Sequence, residues 1–399
     1  MSIKSLHGIE NEIVELRHSI HAHPELSGKE HATRRRIKDF LYNAGIDNIT
    51  ETPSGALIVD VFAKNKNTTR LITIGIRGDM DALPIDEERS DLPYASCVKG
   101  VMHACGHDTH TAIAAGAAVY FNNKKDLNGN IRIIFQPSEE SEPLGGRNVI
   151  REGWVDAIDA MIGVHAFPSI PSGTVGVVHD YVTAAADSFS LIFQGKSAHG
   201  ALPYQGTDTI FIASAFIQLL QGIVSRQTAP DESAVISIGM ISGGTAENII
   251  CDHIELRGTI RTRSPEARRE IQKKVAQLAE GVAMIHGAKS SFSLHEGEPS
   301  IQNDEHLVST FIKTAEEQLG KDKLHLIKPL MGSDDFGFYS QRCRSLYFFY
   351  GCYNPDQGNI YPLHSPRFGI ADEDMLSGFR LTISTAEEIL KKLSEAPES

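Results

Sequence analysis

The stretch Met102-His103-Ala104-Cys105-Gly106-His107-Asp108-Thr109-His110 holds three histidines, a cysteine and an aspartate. A soft thiolate and an imidazole two residues apart, on a tight turn, suit a borderline-soft metal such as zinc. Ala104 and Gly106 leave room around Cys105 and His107. A His-rich surface loop would have the same composition, so other metal-capable residues must decide. Glu139 and Glu140 are adjacent in Gln136-Pro137-Ser138-Glu139-Glu140. Neighbours on an extended chain point opposite ways, so one carboxylate can bind a metal while the other faces a cavity. The alternative is a solvated acidic loop, although Pro137 fixes the backbone here. His165 follows a buried-strand pattern, and His364 stands between Pro362 and Pro366. Singly, these read as a strand-end histidine and a turn residue. Together, Cys105, His107, Glu140, His165 and His364 are enough ligands for two divalent metal ions with positions left open for water and substrate.

The elements that must position these residues follow from periodicity. Ile9, Ile13, Leu16 and Ile20 predict an amphipathic helix over 8–21. Ser27-Gly28-Lys29-Glu30 reads as a capping box opening a second helix that ends near Gly45. Residues 57–63, 71–76, 131–135 and 161–164 read as strands, with His165 at the end of the last. A helix is expected over 109–122 and a short one around Asn148 to Ile150. Alternating buried strands and helices imply an α/β sheet. Asp79, Cys105/His107, Glu139/Glu140 and His165 all follow strands in this reading, where open α/β sheets bind ligands.

The texture changes near residue 184. Strands at 188–193, 234–241, 253–262 and 291–294, with helices at 207–224 and 264–286, give the order β-α-β-β-α-β, a ferredoxin-like unit. The expected fold is therefore a mixed-sheet α/β catalytic domain, helices on both faces, over 1–183 and 295–399. A ferredoxin-like βαββαβ domain is inserted over 184–294. Helices at 304–319 and 373–393 and a strand at 345–350 complete the first domain, and the tail after Leu393 is expected to fray.

The chain has 399 residues, with 41% hydrophobic and 22% charged residues and a net charge of -13. That balance fits a globular enzyme and disfavours nucleic acid as a partner, since phosphates need a basic face. No membrane partner is expected, because no segment approaches the roughly 18 apolar residues of a membrane helix. Met1 to Ile20 carries Glu10, Glu12 and Glu15, unlike a signal peptide. Five cysteines, an odd and small number, point to a cytoplasmic location without a disulfide framework.

Across these positions the chain resembles the dinuclear metal-dependent amidohydrolases and carboxypeptidases that include N-acyl-amino-acid, hippurate and auxin-conjugate hydrolases. The resemblance runs from about His21 to about Leu376. It rests on His23-Pro24-Glu25 with Glu30, Arg77-Gly78-Asp79-Met80-Asp81-Ala82-Leu83-Pro84, the Met102 to Asp108 stretch and Gln136 to Glu140. It continues through Gly163-Val164-His165, Ser197-Ala198-His199-Gly200, Gly243 to Asn248, Met331 to Phe336 and His364. The resemblance implies that Cys105 bridges two divalent ions (zinc, manganese, cobalt or nickel), with His107, Glu140, His165 and His364 completing the ligands. Glu139 then matches the general base. His199 and Asn248 match residues of the inserted domain that reach the substrate, His199 as the oxyanion stabiliser. Asp79 and Asp81 would orient ligand histidines. The resemblance implies hydrolysis of N-acyl amino acids or small peptides, with the inserted domain serving as a lid and as the contact of a homodimer. Tyr204, Cys251, Asp334 and the loop Ser141 to Gly146 depart from the usual pattern near the presumed substrate walls. Two other readings carry weight: a hydrolase using Cys105 as nucleophile, and a non-catalytic protein with a structural metal site.

Overall fold

The computed structural model describes residues 5–64 and 71–395. Two compact units emerge. One comprises Met1–Val182, Gln302–Lys328 and Phe338–Ser399, the other Thr183–Ile301 with Pro329–Gly337. The expected insertion of 184–294 did not include Pro329–Gly337.

The first unit is built on an eight-stranded mixed sheet. Its spatial order is Ile49–Glu51, Leu57–Val61, Asn130–Gln136, Thr73–Asp79, Ala160–Pro171, Arg344–Tyr353, Val175–Val177 and Leu324–Leu326. The four central strands, from Asn130–Gln136 to Arg344–Tyr353, run parallel. They are strongly apolar and largely buried, as parallel strands covered on both faces must be. Helix Leu6–His21 begins at Ser5, whose side chain accepts from the Gly8 amide, and buries Ile9, Ile13, Leu16 and Ile20. Helix His107–Asn123 starts at Gly106 with φ 87°, a conformation that favours glycine. A Cβ there would also lie 2.9 Å from Ile370 Cδ1. The helix is Ala-rich, so it packs closely on all sides.

Several expectations are corrected. Ser27 does not cap the second helix, which runs His31–Asn43. Its hydroxyl donates to Asp81 Oδ2 instead (2.7 Å), and the Glu25 carboxylate takes the amides of Ala32 and Thr33. The strand expected to end before His165 continues to Pro171, so His165 lies within it. The strands Ile49–Glu51, Val175–Val177 and Leu324–Leu326, three residues each, went unseen. The last helix extends to Glu395, and the final four residues of the expected frayed tail lie outside the described residues.

The second unit is a four-stranded antiparallel sheet ordered Lys289–Glu296, Ala185–Gln194, His253–Thr262, Ala234–Gly243. With helices Thr209–Gln227 and Pro265–Ile285 the chain order is β-α-β-β-α-β. Phe189, Leu191, Phe193, Phe216 and Leu256 lie in its core. Helix Thr209–Gln227 is long and apolar enough to cross a membrane by length and composition, which corrects the expectation that no segment approaches this. It buries Ile212, Phe216, Leu220 and Ile223 along one face.

Candidate metal centre

Four chain segments of the first unit bring the expected ligands together. Strand Thr73–Asp79 ends on Asp79, and the loop leaving it passes Asp81 before reaching Cys105 and the first helical residue, His107. The loop after strand Asn130–Gln136 supplies Glu139 and Glu140, and strand Ala160–Pro171 supplies His165. His364 comes from a loop whose amide donates to Ala104 O (2.8 Å), tying it to the Cys105 stretch. Its φ is 63°, a left-handed conformation unusual for a side-chain-bearing residue.

Metal-ligating atoms of Cys105, His107 and His165 lie within 4.8 Å of one another. So do those of Cys105, Glu140 and His364, and those of His107, Glu139 and Glu140. Cys105, His107 and Glu140 each belong to two of these groups. Cys105 Sγ is 3.5 Å from His165 Nε2, while Glu140 Oε1 is 3.3 Å from His364 Nε2 and 3.9 Å from His107 Nε2. Four of the five expected ligands are buried or half-buried, and His364 is exposed.

The imidazoles are aimed by their outer nitrogens. His107 Nδ1 donates to the Asp81 carbonyl (2.9 Å), with Asp81 Oδ1 at 3.3 Å. His165 Nδ1 donates to Ala166 O (2.7 Å). Each ring therefore turns Nε2 inward, as metal-ligating histidines do. Asp79 does not orient a ligand in this simple way: it ion-pairs with Arg77 and accepts from His110 Nδ1 (2.8 Å), with His107 Nε2 at 3.6 Å. His110, left without a role at the sequence level, accepts the Ala166 amide on Nε2 (3.1 Å) and so joins the Asp79 strand to the His165 strand.

The residues fit a metal. His107 Nε2 and Glu140 Oε1 are buried and neither has a hydrogen-bond partner, although His364 Nε2 approaches Glu140 Oε1. Leaving such atoms unsatisfied costs about 1–3 kcal/mol each, more if charged, and a cation among them removes that cost. The electrostatics agree. The Cys105 thiol and the Glu140 carboxylate push the His364 pKa up to about 10. Burial opposes charge on His107, but Asp79 and Cys105 outweigh it and hold its pKa well above the usual value. Burial would raise Asp79, yet Arg77, His107 and His110 together hold it well below the carboxylate range. The cluster thus attracts positive charge, and protons and metal ions compete for it. Burial pushes the Cys105 thiol up, the reverse of what an activated nucleophile requires.

His199 and Asn248 lie in the second unit, side by side. His199 forms a bridge with Ile249, and the Gly200 amide donates to Asn248 O (2.7 Å). The Ala201 amide donates to His199 Nδ1 (3.1 Å), so the ring proton sits on Nε2, on an exposed side chain.

A further layer escaped the sequence reading. Arg17 Nε donates to Asp108 Oδ2 (3.2 Å), and His21 Nδ1 donates to the same oxygen (3.0 Å) while its Nε2 reaches Glu87 (3.2 Å). All four side chains are buried. The signal was available: Arg17 and His21 are four residues apart, beside Leu16 and Ile20 of the buried helical stripe.

Residues 75–388 match peptidase family M20/M25/M40. An N-acetyl-L-cysteine deacetylase of Bacillus subtilis is 37% identical over 395 residues, covering 98% of this chain and 91% of that protein. Thermostable carboxypeptidase 2 of Saccharolobus solfataricus is 36% identical over 377 residues, 92% of each chain. The solved structure of a Bacillus subtilis dinuclear metal binding peptidase of the M20 family superposes with a TM-score of 0.83 at 30% identity, over 96% of this chain and 99% of that one. With a buried Cys/His/Glu cluster built to hold divalent cations, the chain belongs to peptidase family M20/M25/M40 and is a metal-dependent amide hydrolase.

Proposed function

We propose that the protein hydrolyses the amide bond of N-acyl amino acids or small peptides, using two divalent ions held by Cys105, His107, Glu140, His165 and His364. The observation that carries this reading is the pair of buried atoms that lack a hydrogen bond, His107 Nε2 and Glu140 Oε1, 3.9 Å apart, with His364 Nε2 3.3 Å from the latter. Cys105, His107 and Glu140 each belong to at least two ligand groups and would hold the ions at the centre of the cluster. When bound, the ions supply Lewis acidity, polarising the amide carbonyl and lowering the pKa of water toward about 7. Glu139 takes the proton of the attacking water and returns it to the leaving amine nitrogen. His199, with its proton on Nε2, donates to the developing oxyanion, and Asn248 contacts the substrate. Asp81 keeps the His107 ring in the tautomer that ligation needs, and Asp79 holds positive charge nearby.

The names of the relatives narrow the substrate to two classes, N-acyl amino acids and peptides. A panel of N-acetyl, N-benzoyl and dipeptide substrates, assayed with each of zinc, manganese, cobalt and nickel added back to chelated enzyme, should show turnover only with metal. Turnover that survives complete chelation but not thiol alkylation would sink the metal reading in favour of Cys105 as nucleophile.

The second unit is the proposed lid and the contact of a homodimer. Strand Ala234–Gly243 is an edge of its sheet and exposes Val235, Met240 and Ile241; Ile210, Phe211 and Leu219 are exposed on helix Thr209–Gln227. Such an edge invites pairing with a second chain. Sedimentation equilibrium should give twice 43.6 kDa, and charged residues at Met240 and Ile241 should give the monomer. A wild-type protein that sediments as a monomer would end the proposal. The five free cysteines support a reducing, cytoplasmic location; a thiol-blocking assay on protein from intact cells that finds disulfides would overturn it.

A further inference from the structure

The proposed base, Glu139, lies between two anchored peptide groups. On one side, the Glu140 amide donates to Asp81 Oδ2 (3.0 Å). On the other, Ser138 is held at both ends: its amide donates to Glu30 Oε1 (2.9 Å) and its carbonyl accepts from the Gly145 amide (2.9 Å). Gly145 comes so close that a Cβ on it would meet Pro137 O at 1.7 Å. Ser138 has φ 51°, a conformation that a non-glycine residue keeps only when its surroundings impose it.

Glu30 is remote in sequence from this loop and is fully buried. The same oxygen that binds Ser138 accepts the Gly28 amide (2.9 Å). Glu30 is itself held in place, because the residues around it are fixed twice. Glu25 caps helix His31–Asn43, and Leu26 bridges Ala82. The two anchors of Glu139 differ in one respect. Asp81 also orients His107, so changing it disturbs a ligand. Glu30 hydrogen-bonds instead to the amides of Gly28 and Ser138, and its other oxygen lies 3.9 Å from Arg34 Nη1.

We propose that Glu30 is a positioning residue for Glu139: its buried carboxylate fixes the Ser138 peptide and thereby the direction in which Glu139 enters the reaction. This rests on the reading of Glu139 as the base. An acceptor oxygen is what the role requires, so Glu30→Gln should fulfil it and Glu30→Leu should not. A misplacement of about 1 Å can cost on the order of 10²-fold in rate.

The test compares the two variants in the full chain by three readouts: metal per protomer, kcat and KM, and hydrogen exchange of peptides spanning 136–146 in metal-free protein. Glu30→Leu should keep its metal, lower kcat by about 10- to 100-fold, leave KM within a few-fold, and exchange faster across 136–146. Glu30→Gln should stay near wild type in all three. The proposal fails if Glu30→Leu keeps wild-type kcat, if it loses metal in proportion to activity, or if Glu30→Gln is as impaired as Glu30→Leu. Should Glu30→Leu not fold, Glu30→Asp keeps the charge but withdraws the oxygen by one methylene. Reduced kcat with full metal then supports the proposal, and wild-type kcat overturns it. A fully active Glu139→Gln would refute Glu139 as the base, whereas the exchange readout still reports whether Glu30 holds the loop.

Discussion

Glu139→Gln is expected to bind its full complement of metal and to lose about 10²–10⁴-fold in kcat, the usual contribution of a positioned general base. The amide preserves the shape of the carboxylate but cannot accept the proton of the attacking water. Metal should be retained because Glu140, the neighbour 3.3 Å from His364 and 3.9 Å from His107, is the proposed ligand. The experiment separates two arrangements that the geometry brings close together, since Glu139 and Glu140 both lie within 4.8 Å reach of His107. Metal analysis showing half the wild-type content would make Glu139 a ligand. Unchanged turnover would remove it from the chemistry altogether.

The largest effect on stability is expected at Arg17. Its guanidinium is buried against Asp108, Asp372 and the Ile370 carbonyl, and stacks over Tyr94 at 5.5 Å. Arg17→Met leaves the fully buried Asp108 with one cation fewer, and breaking a buried pair in this way typically costs about 3–5 kcal/mol. Denaturant unfolding should show that loss; a change below about 1 kcal/mol would mean that His21 alone compensates Asp108. The same network gives a pH signature. Burial opposes charge on His21, but Asp108 and Glu87 outweigh it and raise its pKa to about 9. A histidine raised on folding stabilises fully below its unfolded value near 6.5, and that contribution disappears as pH rises through about 9. The rise corresponds to roughly 3 kcal/mol. Stability should therefore decline between pH 6.5 and 9.5, and His21→Gln should flatten the decline.

The sequence carried the site further than it carried the frame around it. Cys105, His107, Glu140, His165 and His364 could be nominated because few residue types ligate metals and the chain holds them after buried strands. The strand expected over 71–76 was visible because that run is nearly all apolar, and the β-α-β-β-α-β order because each of its elements is long. Three-residue strands have too few positions to display a period. His165 was misplaced to a strand end because a polar residue looks like a boundary, whereas its strand runs on through Phe167 and Pro168. Glu30 was read as a local cap, since local partners are all that spacing can suggest. Its carboxylate is instead taken by Ser138, 108 residues away, and such a distant claim is not written in any short motif. Pro329–Gly337 joins the second unit for a similar reason: contacts distant in sequence decide it.

Helix His107–Asn123 is buried at every residue from His107 to Val119. Segments of that kind are the last to open when a protein fluctuates, with protection approaching that of global unfolding. Of the five proposed ligands, His107 opens this helix, Cys105 and His165 are buried in the segment before it and in strand Ala160–Pro171, and Glu140 is anchored through Asp81. His364 differs, being exposed on a loop. Exchange of one metal for another is therefore expected to begin at that loop, by release of the His364 amide from Ala104 O. The identity of the bound ion would then be set by supply and not by the history of folding.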